Sequence, residues 1–253
     1  MLTRIYIDNF RSFVNFEYRP EAKQLLLGAN GSGKSSLLKA IRSLKWFIEG
    51  EESLFTQSTR TRWQYRPLQV LELEALLDGK KYEYRIEIRF APKTNQPSVN
   101  LERLRVSGTP VFELADGKIS FFPNDSSQAM TVPFETAKSA LHLAQLSNSN
   151  VRRFVEWVAQ SIHCIHIDAY PGKMDESADD GERDPDYELE NLTGWYRYLV
   201  QTDPDVNVTF LESLRGGTGW VPHAKILSPR RWRASSSSRF FCPKGRKSGL
   251  WDI

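Results

Sequence analysis

The sequence feature that most constrains this chain is the run Gly28-Ala29-Asn30-Gly31-Ser32-Gly33-Lys34-Ser35. It fits the pattern G-x-x-x-x-G-K-[ST], which is typical of a loop that binds phosphate groups. That pattern requires a strand before the loop and a helix after it. The sequence predicts both, a short buried strand over residues 24–27 and a helix over residues 36–48 with an apolar stripe (Leu37, Leu38, Ile41, Leu44 and Ile48). We therefore expect residues 28–35, called the phosphate loop below, to bind a nucleotide.

Each part of the phosphate loop has a predicted role. Glycines let the backbone turn its N–H groups inward on a phosphate, and the positive end of the following helix dipole adds to the attraction. Lys34 is expected to reach the β- and γ-phosphates of ATP, and the Ser35 hydroxyl is expected to bind Mg²⁺. The backbone donors are expected from Gly28, Ala29, Asn30, Gly31, Ser32, Gly33, Lys34, Ser35 and Ser36. A glycine-rich turn that matches by chance is the alternative, and the predicted flanking elements disfavour it.

Composition limits the class of protein to which the chain belongs. Its 253 residues are 40% hydrophobic and 26% charged, which is ordinary for a soluble globular protein. No apolar run approaches the ~18 residues that a membrane span needs, and the N-terminus leads directly into a predicted strand, so we expect no signal peptide. The two cysteines, Cys164 and Cys242, suggest neither a disulfide framework nor a metal site. These features predict a cytoplasmic protein.

Charge is distributed unevenly along the chain. Residues 216–253 contain eight lysines and arginines and one acidic residue, a charge of +7, so the remainder of the chain carries −4 of the net +3. The basic character therefore belongs to the C-terminal segment and does not indicate a nucleic-acid surface on the folded part. This segment is either a basic arm for an anionic partner or, as we expect, the product of a shifted reading frame or truncation.

Periodicity divides the chain into four predicted regions. Residues 1–50 hold two short strands, the phosphate loop and its helix. Residues 51–135 hold an antiparallel meander over 68–123, with turns at Asp78-Gly79, Ser107-Gly108 and Asp116-Gly117. Residues 136–215 are predicted to form helices over 136–146, 151–162 and 192–200, a short strand over 164–167, an acidic loop over 172–190, and a further helix from Asp203. Residues 216–253 form the basic irregular tail.

Two segments, "IYIDNFRSF" and "LLLGANGSGKSSLLKAI", resemble the N-terminus of ABC-type ATPases of the SMC and RecF group. The resemblance extends to small bacterial AAA-type ATPases that lack a long coiled coil. It implies an α/β fold, the first lobe of a P-loop NTPase with an antiparallel β-subdomain and a small helical segment. It also implies a second ATPase subunit in a homodimer that sandwiches two ATP molecules, DNA as a further partner in repair or phage defence, and no membrane.

Three further residues are candidates for the same site, each with a plain alternative. Arg11 lies in a turn close in sequence to the phosphate loop, and it is either a second positive charge for the phosphates or a solvated arginine. Gln145 lies near where ABC-type enzymes place a Mg²⁺-sensing glutamine, or it is an ordinary helix-surface residue. Asp168 ends a hydrophobic stretch as a Mg²⁺-binding carboxylate would, but polar His166 lies in that stretch and no second acid follows Asp168.

The second half of the resembled enzymes is not recognisable in this chain. The signature motif, the Mg²⁺-binding aspartate with its catalytic glutamate and the switch histidine are all missing from the sequence pattern. We therefore expect nucleotide binding with little turnover here, and hydrolysis in a complete enzyme. The alternatives are a regulatory module that binds nucleotide without hydrolysis and a P-loop phosphotransferase. The antiparallel meander disfavours the phosphotransferase.

Overall fold

The computed structural model describes residues 1–51, 55–122, 130–133, 138–166 and 183–203, together with residues 205, 208, 209 and 212. Eight strands are formed: β1 (Leu2–Asp8), β2 (Phe16–Tyr18), β3 (Leu68–Leu77), β4 (Lys80–Phe90), β5 (Pro97–Val106), β6 (Thr109–Ala115), β7 (Lys118–Phe121) and β8 (Met130–Pro133). The named helices are α1 (Lys34–Ile48), α2 (Leu141–Ala144), α3 (Ser149–Ser161) and α4 (Leu192–Thr202), with one 3₁₀ turn at Gln57–Thr59.

The strands form one antiparallel sheet in the order β2-β1-β3-β4-β5-β6-β7-β8. From β3 onwards each strand pairs with the next one along the chain, which confirms the predicted meander. The first strand instead pairs with β3, in a register that sets Ile5 opposite Leu73. The sheet therefore includes strands from both sides of residue 50, and the segment that contains the phosphate loop lies between two of its neighbouring strands, β1 and β3.

Three two-residue turns set the register of the meander. Both residues of each turn have positive φ angles: 51° and 76° at Asp78-Gly79, 49° and 83° at Ser107-Gly108, and 51° and 69° at Asp116-Gly117. Such turns match the right-handed twist of the flanking strands, and a glycine at the second position adopts this backbone without a steric penalty. The predicted turns are confirmed at all three positions.

One face of the sheet carries the hydrophobic core. Alternate residues of the long strands point inward, so Tyr82, Tyr84, Ile86 and Ile88 of β4 are all at most 2% exposed. Helices α1 and α3 cover this face, and the Phe154 ring lies within 5.5 Å of the Tyr84 ring, centroid to centroid. The side chain of Asn148 caps α3 by accepting from the N–H groups of Asn150 and Val151, a position at which asparagine is favoured.

The opposite face of the sheet is charged. Arg4 forms ion pairs with Glu17, Glu72 and Glu74 on the two neighbouring strands. One strand further along, Arg85 pairs with Glu72 and Glu87. The charged side chains of these strands therefore lie on one face of the sheet, and the apolar side chains lie on the face covered by the helices.

One carboxylate lies inside the core. Glu102 is completely buried, and it accepts hydrogen bonds from the Tyr84 hydroxyl (2.9 Å), the Ser139 hydroxyl (2.6 Å) and the Ala140 N–H group (2.8 Å). Burial raises the pKa of this carboxyl to about 7, although all three donors favour the charged form. The residue ties β5 and β4 to the start of α2.

The strand predicted over residues 24–27 is wrong. The structure forms no strand there, and the side chains of Leu25 and Leu27 are 77% and 82% exposed. A run of three leucines predicts burial, but a strand also needs a neighbouring strand with which to pair. No described strand lies alongside this segment. Leu38 on α1 also differs from the prediction. The predicted stripe places it inward, but its side chain is 45% exposed.

The region after the meander differs from the prediction in three places. Of the helix predicted over residues 136–146, the described residues 138–146 contain only the four-residue α2, because Ser139 and Ala140 bond to Glu102 before the helix begins. Residues 164–166 form no strand, and the remainder of that predicted strand lies outside the described residues. Strand β8 was not predicted.

The chain divides into two compact units, residues 1–176 with 184–192, and residues 177–183 with 193–253. The first contains every element from β1 to α3. The second contains nearly all of α4, which confirms the helix predicted over residues 192–200. Of the helix predicted from Asp203, the described residues 205, 208, 209 and 212 are helical. The acidic loop, apart from its last residues, and the basic tail lie outside the described residues.

Candidate phosphate-binding site

The phosphate loop leads directly into α1. Gly31 and Gly33 have φ angles of 83° and 100°, so the chain turns at these two residues in a conformation that favours glycine. The Ser32 N–H group donates to the Ala29 carbonyl (3.2 Å), which closes the loop. Gly33 is the last residue before the helix, and its carbonyl accepts from Leu37 N–H at 2.9 Å.

The first turn of α1 carries free backbone donors. The N–H groups of Lys34, Ser35 and Ser36 have no acceptor among the residues that the structure describes, and Gly33 supplies no side-chain cap. No acidic side chain lies in this turn either. A 15-residue helix brings a partial positive charge to its N-terminus. These unpaired donors and the uncompensated dipole suit an anion, as at other phosphate-binding helix ends.

Lys34 is folded back over the loop that precedes it. Its Nζ donates to the carbonyls of Gly28 (2.6 Å) and Ala29 (2.9 Å), and it lies 3.3 Å from the Ser32 Oγ. These contacts hold the ammonium group over the hollow of the loop, where a bound phosphate would exchange neutral carbonyl partners for anionic oxygens. The Ser35 side chain, in the same helical turn, is exposed.

One glycine of the phosphate loop is required by its surroundings. A Cβ atom on Gly33 would lie 3.1 Å from the Phe13 ring, shorter than an ordinary van der Waals contact, and the φ angle of 100° is strained for other residues. A Cβ atom on Gly28 would lie 2.8 Å from the Ser32 Oγ, but this exposed hydroxyl can rotate away.

A model of the AAA domain family matches residues 4–152, which is more than half of the chain. This chain belongs to the AAA domain family. The matched region begins in β1 and ends in the first turn of α3, so it contains the phosphate loop, α1 and the meander. Residues 4–152 are therefore an AAA-type ATPase domain. No curated protein matches the chain.

Beside the phosphate loop of the AAA domain lies a tight turn formed by residues 10–13. Phe10 and Phe13 exchange backbone hydrogen bonds of 2.8 and 3.2 Å, and the Phe13 ring stacks on Phe16. Arg11 occupies this turn with a φ angle of 52°, and its N–H donates to the Thr59 carbonyl at 2.7 Å. Its side chain is exposed and forms no ion pair with any described residue. The structure thus brings the Arg11 turn up to Gly33.

Gln145 is not brought to the phosphate loop. Its Nε2 lies 3.2 Å from the His142 Nδ1, and the same histidine ring packs against Gly50, just beyond the C-terminal end of α1. Ser35 lies in the first turn of that helix, whose 15 residues span about 22 Å. In this structure the two predicted Mg²⁺ ligands therefore lie towards opposite ends of α1.

Asp168 lies outside the described residues, so the structure does not place it. Among the residues that are described, no group of three or more histidine, cysteine or acidic side chains is close enough to hold a metal ion. Mg²⁺ commonly binds with one or two protein ligands, several waters and the phosphates of the nucleotide. The exposed Ser35 hydroxyl at the helix start fits such a role.

Sequence reasoning missed the residues that support the loop. Phe13 closes the space beside Gly33, and Thr61 Oγ1 donates to the Phe13 carbonyl at 3.2 Å. Asn9 is fully buried, and its side chain joins the turn to Thr61 and Arg66. No periodicity marks these contacts, because they link an N-terminal turn to an irregular segment about 50 residues later.

In the described part of the chain no helix approaches the roughly 20 apolar residues needed to span a bilayer.

Proposed function

We propose that this chain binds MgATP at the phosphate loop as part of an SMC/RecF-like ATPase. The observation that carries the proposal is the set of unpaired N–H groups at the start of α1 with the Lys34 ammonium group held over the loop. The N–H groups from Gly28 to Ser36 bind the phosphate oxygens, and Lys34 neutralises the β- and γ-phosphates. The Ser35 hydroxyl would help to hold Mg²⁺, which would supply further positive charge to the phosphates.

Arg11 adds a second positive charge on the side of the loop that faces Phe13. Its backbone is fixed by the bond to Thr59, whereas its side chain has no acidic partner among the described residues. A cation without an internal partner is available to a phosphate oxygen. Gln145 has no part in this proposal, because the structure places it towards the other end of α1.

Turnover requires groups that the described residues do not supply at this loop. Hydrolysis needs a carboxylate for Mg²⁺ and a residue that orients the attacking water. We propose that these come from a further lobe and from a second ATPase subunit, as the resemblance implies, with DNA repair or phage defence as the process. The exposed Leu25 and Leu27 beside the loop support this, because an apolar stretch next to a binding site is typical of a surface that a partner covers.

Calorimetry with MgATP on the full chain tests the proposal, with phosphate release followed in the same samples. Lys34→Ala is expected to reduce ATP affinity below detection, because the charge on the β- and γ-phosphates loses its main partner. Lys39→Ala, in the same helix, is the matched control and is expected to bind as the wild type does. Both variants are expected to melt at the wild-type temperature, because Lys34 bonds only within its own loop.

The outcomes separate the alternatives. Binding that depends on Lys34 without phosphate release supports the proposed site and agrees with a non-hydrolysing module as well as with an incomplete enzyme. Phosphate release that depends on Lys34 would mean that the catalytic carboxylates lie within these 253 residues, with Asp168 as the first candidate. Equal binding by wild type and Lys34→Ala would refute the proposal.

A further inference from the structure

A short loop beside the phosphate loop exposes two aromatic side chains. In residues 62–66, called the aromatic loop here, Trp63 is 64% exposed and Tyr65 is 98% exposed. They are the only aromatic residues among the large exposed hydrophobic side chains that the structure describes. Arg62 and Arg66 flank them and are also exposed, although Arg66 lies 3.8 Å from the Asp8 carboxylate. Exposed aromatic rings between cations are typical of surfaces that bind nucleobases and phosphates.

The base of this loop is held firmly although its tip is exposed. The Asn9 side chain accepts from the Thr61 N–H (3.2 Å) and donates to the Arg66 carbonyl (2.8 Å), so one buried residue fixes both ends. Its own carbonyl accepts from the Gln69 side chain at 2.8 Å. A loop fixed in this way presents its rings in a defined place, which lowers the entropy lost when a ligand binds.

The same contacts join the aromatic loop to the phosphate loop. Thr61 donates to the Phe13 carbonyl at 3.2 Å, and the Phe13 ring lies against Gly33. The Phe13 residue therefore links Thr61, just before the aromatic loop, to Gly33, just before α1.

The loop also contains an acceptor that receives no hydrogen bond from the residues that the structure describes. It is the buried Oε1 atom of Gln64, which follows Trp63 and precedes Tyr65 in the sequence. A buried acceptor without a donor is unfavourable, so the Gln64 side chain gains stability if it turns outward and its Oε1 accepts from a ligand. The exocyclic amino group of a purine such as adenine is a donor of this kind, and glutamine is a frequent partner of that group.

We propose that the aromatic loop holds the base of the nucleotide whose phosphates lie on residues 28–35. Trp63 and Tyr65 provide the stacking surface, and Gln64 accepts from an exocyclic amino group, which selects adenine over a base with a carbonyl at that position. This inference rests on the proposed function, because it assumes that the triphosphate lies on the phosphate loop. It assigns the base-binding part of the site, which neither the sequence pattern nor the family match locates.

The test compares two ligands on the full chain, MgATP and inorganic tripolyphosphate with Mg²⁺, by calorimetry. Replacement of both rings (Trp63→Ala with Tyr65→Ala) is expected to weaken ATP binding about tenfold, from the loss of stacking on one base. Tripolyphosphate, which has no base, is expected to bind this double variant as it binds the wild type. Leu76→Ala removes a comparably exposed apolar side chain on β3 and is expected to change neither affinity.

Other outcomes overturn the inference. Equal loss of both ligands would mean that the loop acts through the phosphates or the fold, and unchanged ATP binding would mean that it does not hold the base. If the double variant loses binding of a fluorescent single-stranded oligonucleotide but keeps its ATP affinity, the loop is a nucleic-acid surface instead. Wild-type chain that binds neither ATP nor tripolyphosphate would refute the proposed function itself, and this inference with it.

Gln64 is tested by selectivity, which a purely structural role would not change. The wild type is expected to bind ATP about tenfold more tightly than inosine triphosphate, whose base has a carbonyl in place of the amino group. Gln64→Leu is expected to bind the two equally. An unchanged ATP preference in Gln64→Leu would overturn the role of this residue, and thermal melting of the variant checks that the chain remains folded.

Discussion

The meander and the approach to the phosphate loop lie in the same AAA domain but are stabilised differently. Strands β3 to β7 have a partner on both sides, and their inner face is covered by α1 and α3. Residues 21–27, in contrast, form no strand and expose two of their three leucines almost completely. The comparison shows that internal packing stabilises the sheet, whereas the segment that leads to the phosphate loop leaves apolar side chains exposed.

The largest expected effect tests the stabilising side of this comparison. Phe154 is completely buried on α3, and its ring contacts those of Tyr82, Tyr84 and Trp157. Phe154→Ala is expected to lower the free energy of unfolding by about 3–5 kcal/mol, because it leaves a cavity over the centre of the sheet. Urea denaturation measures this change. Leu146→Ala, at a position 76% exposed, is the control and is expected to change stability by less than about 0.5 kcal/mol.

The second effect depends on pH. Burial raises the pKa of Glu102 from an ordinary 4.5 to about 7 in the folded chain. Its contribution to stability is therefore complete below pH 4.5, and it is lost as the pH rises towards 7, by roughly 3 kcal/mol in total. Urea denaturation at pH 5 and pH 8 is expected to show the wild type less stable at pH 8.

Glu102→Gln is expected to reduce this pH dependence, since a glutamine does not ionise. It also loses an acceptor for the Ala140 N–H, so the variant is less stable at pH 5, and only the difference between the two pH values tests the prediction. Glu113→Gln, on the charged face with a half-exposed side chain, is expected to keep the wild-type pH dependence. Identical slopes for wild type and Glu102→Gln would contradict the assignment.

The smallest effect lies where the two regions meet. Gly33→Ala is expected to lower the free energy of unfolding by about 1–3 kcal/mol, because alanine is strained at a φ angle of 100° and its Cβ presses on Phe13. The same change is expected to weaken tripolyphosphate binding, since the N–H groups of α1 shift with it. Gly79→Ala is the control: its φ angle is 76° and nothing lies within 4 Å of its added Cβ. It is expected to lose stability without loss of phosphate binding.

The elements predicted correctly from sequence are those whose residues determine their own structure. The meander over residues 68–123, its three two-residue turns and the helix over residues 151–162 follow from local patterns, and the structure confirms each. The glycine spacing of the phosphate loop belongs to the same class, because the loop is built within eight residues. Its role in binding ATP stays a prediction.

The errors concern residues whose environment is decided elsewhere in the chain. Leu25 and Leu27 need a covering surface that their own sequence cannot supply, and the length of α2 depends on Glu102, which lies some 40 residues earlier. A signal for Glu102 was present in the sequence. It is in phase with the inward-facing Leu104 and Val106 on β5, so alternation alone places this acid inside.

The order of the strands has a consequence for how the domain forms. The meander is built from contacts between neighbours in sequence, joined by two-residue turns, and such contacts form early in folding. The pairing of Ile5 with Leu73 must instead close a loop of more than 60 residues, which carries a larger entropic cost. The phosphate loop lies within this intervening segment of the chain. Phe13 and Thr61, which support the phosphate loop, come into contact only when β1 pairs with β3. We therefore expect a folding chain to acquire nucleotide affinity last, and bound nucleotide to slow the detachment of β1 from the sheet.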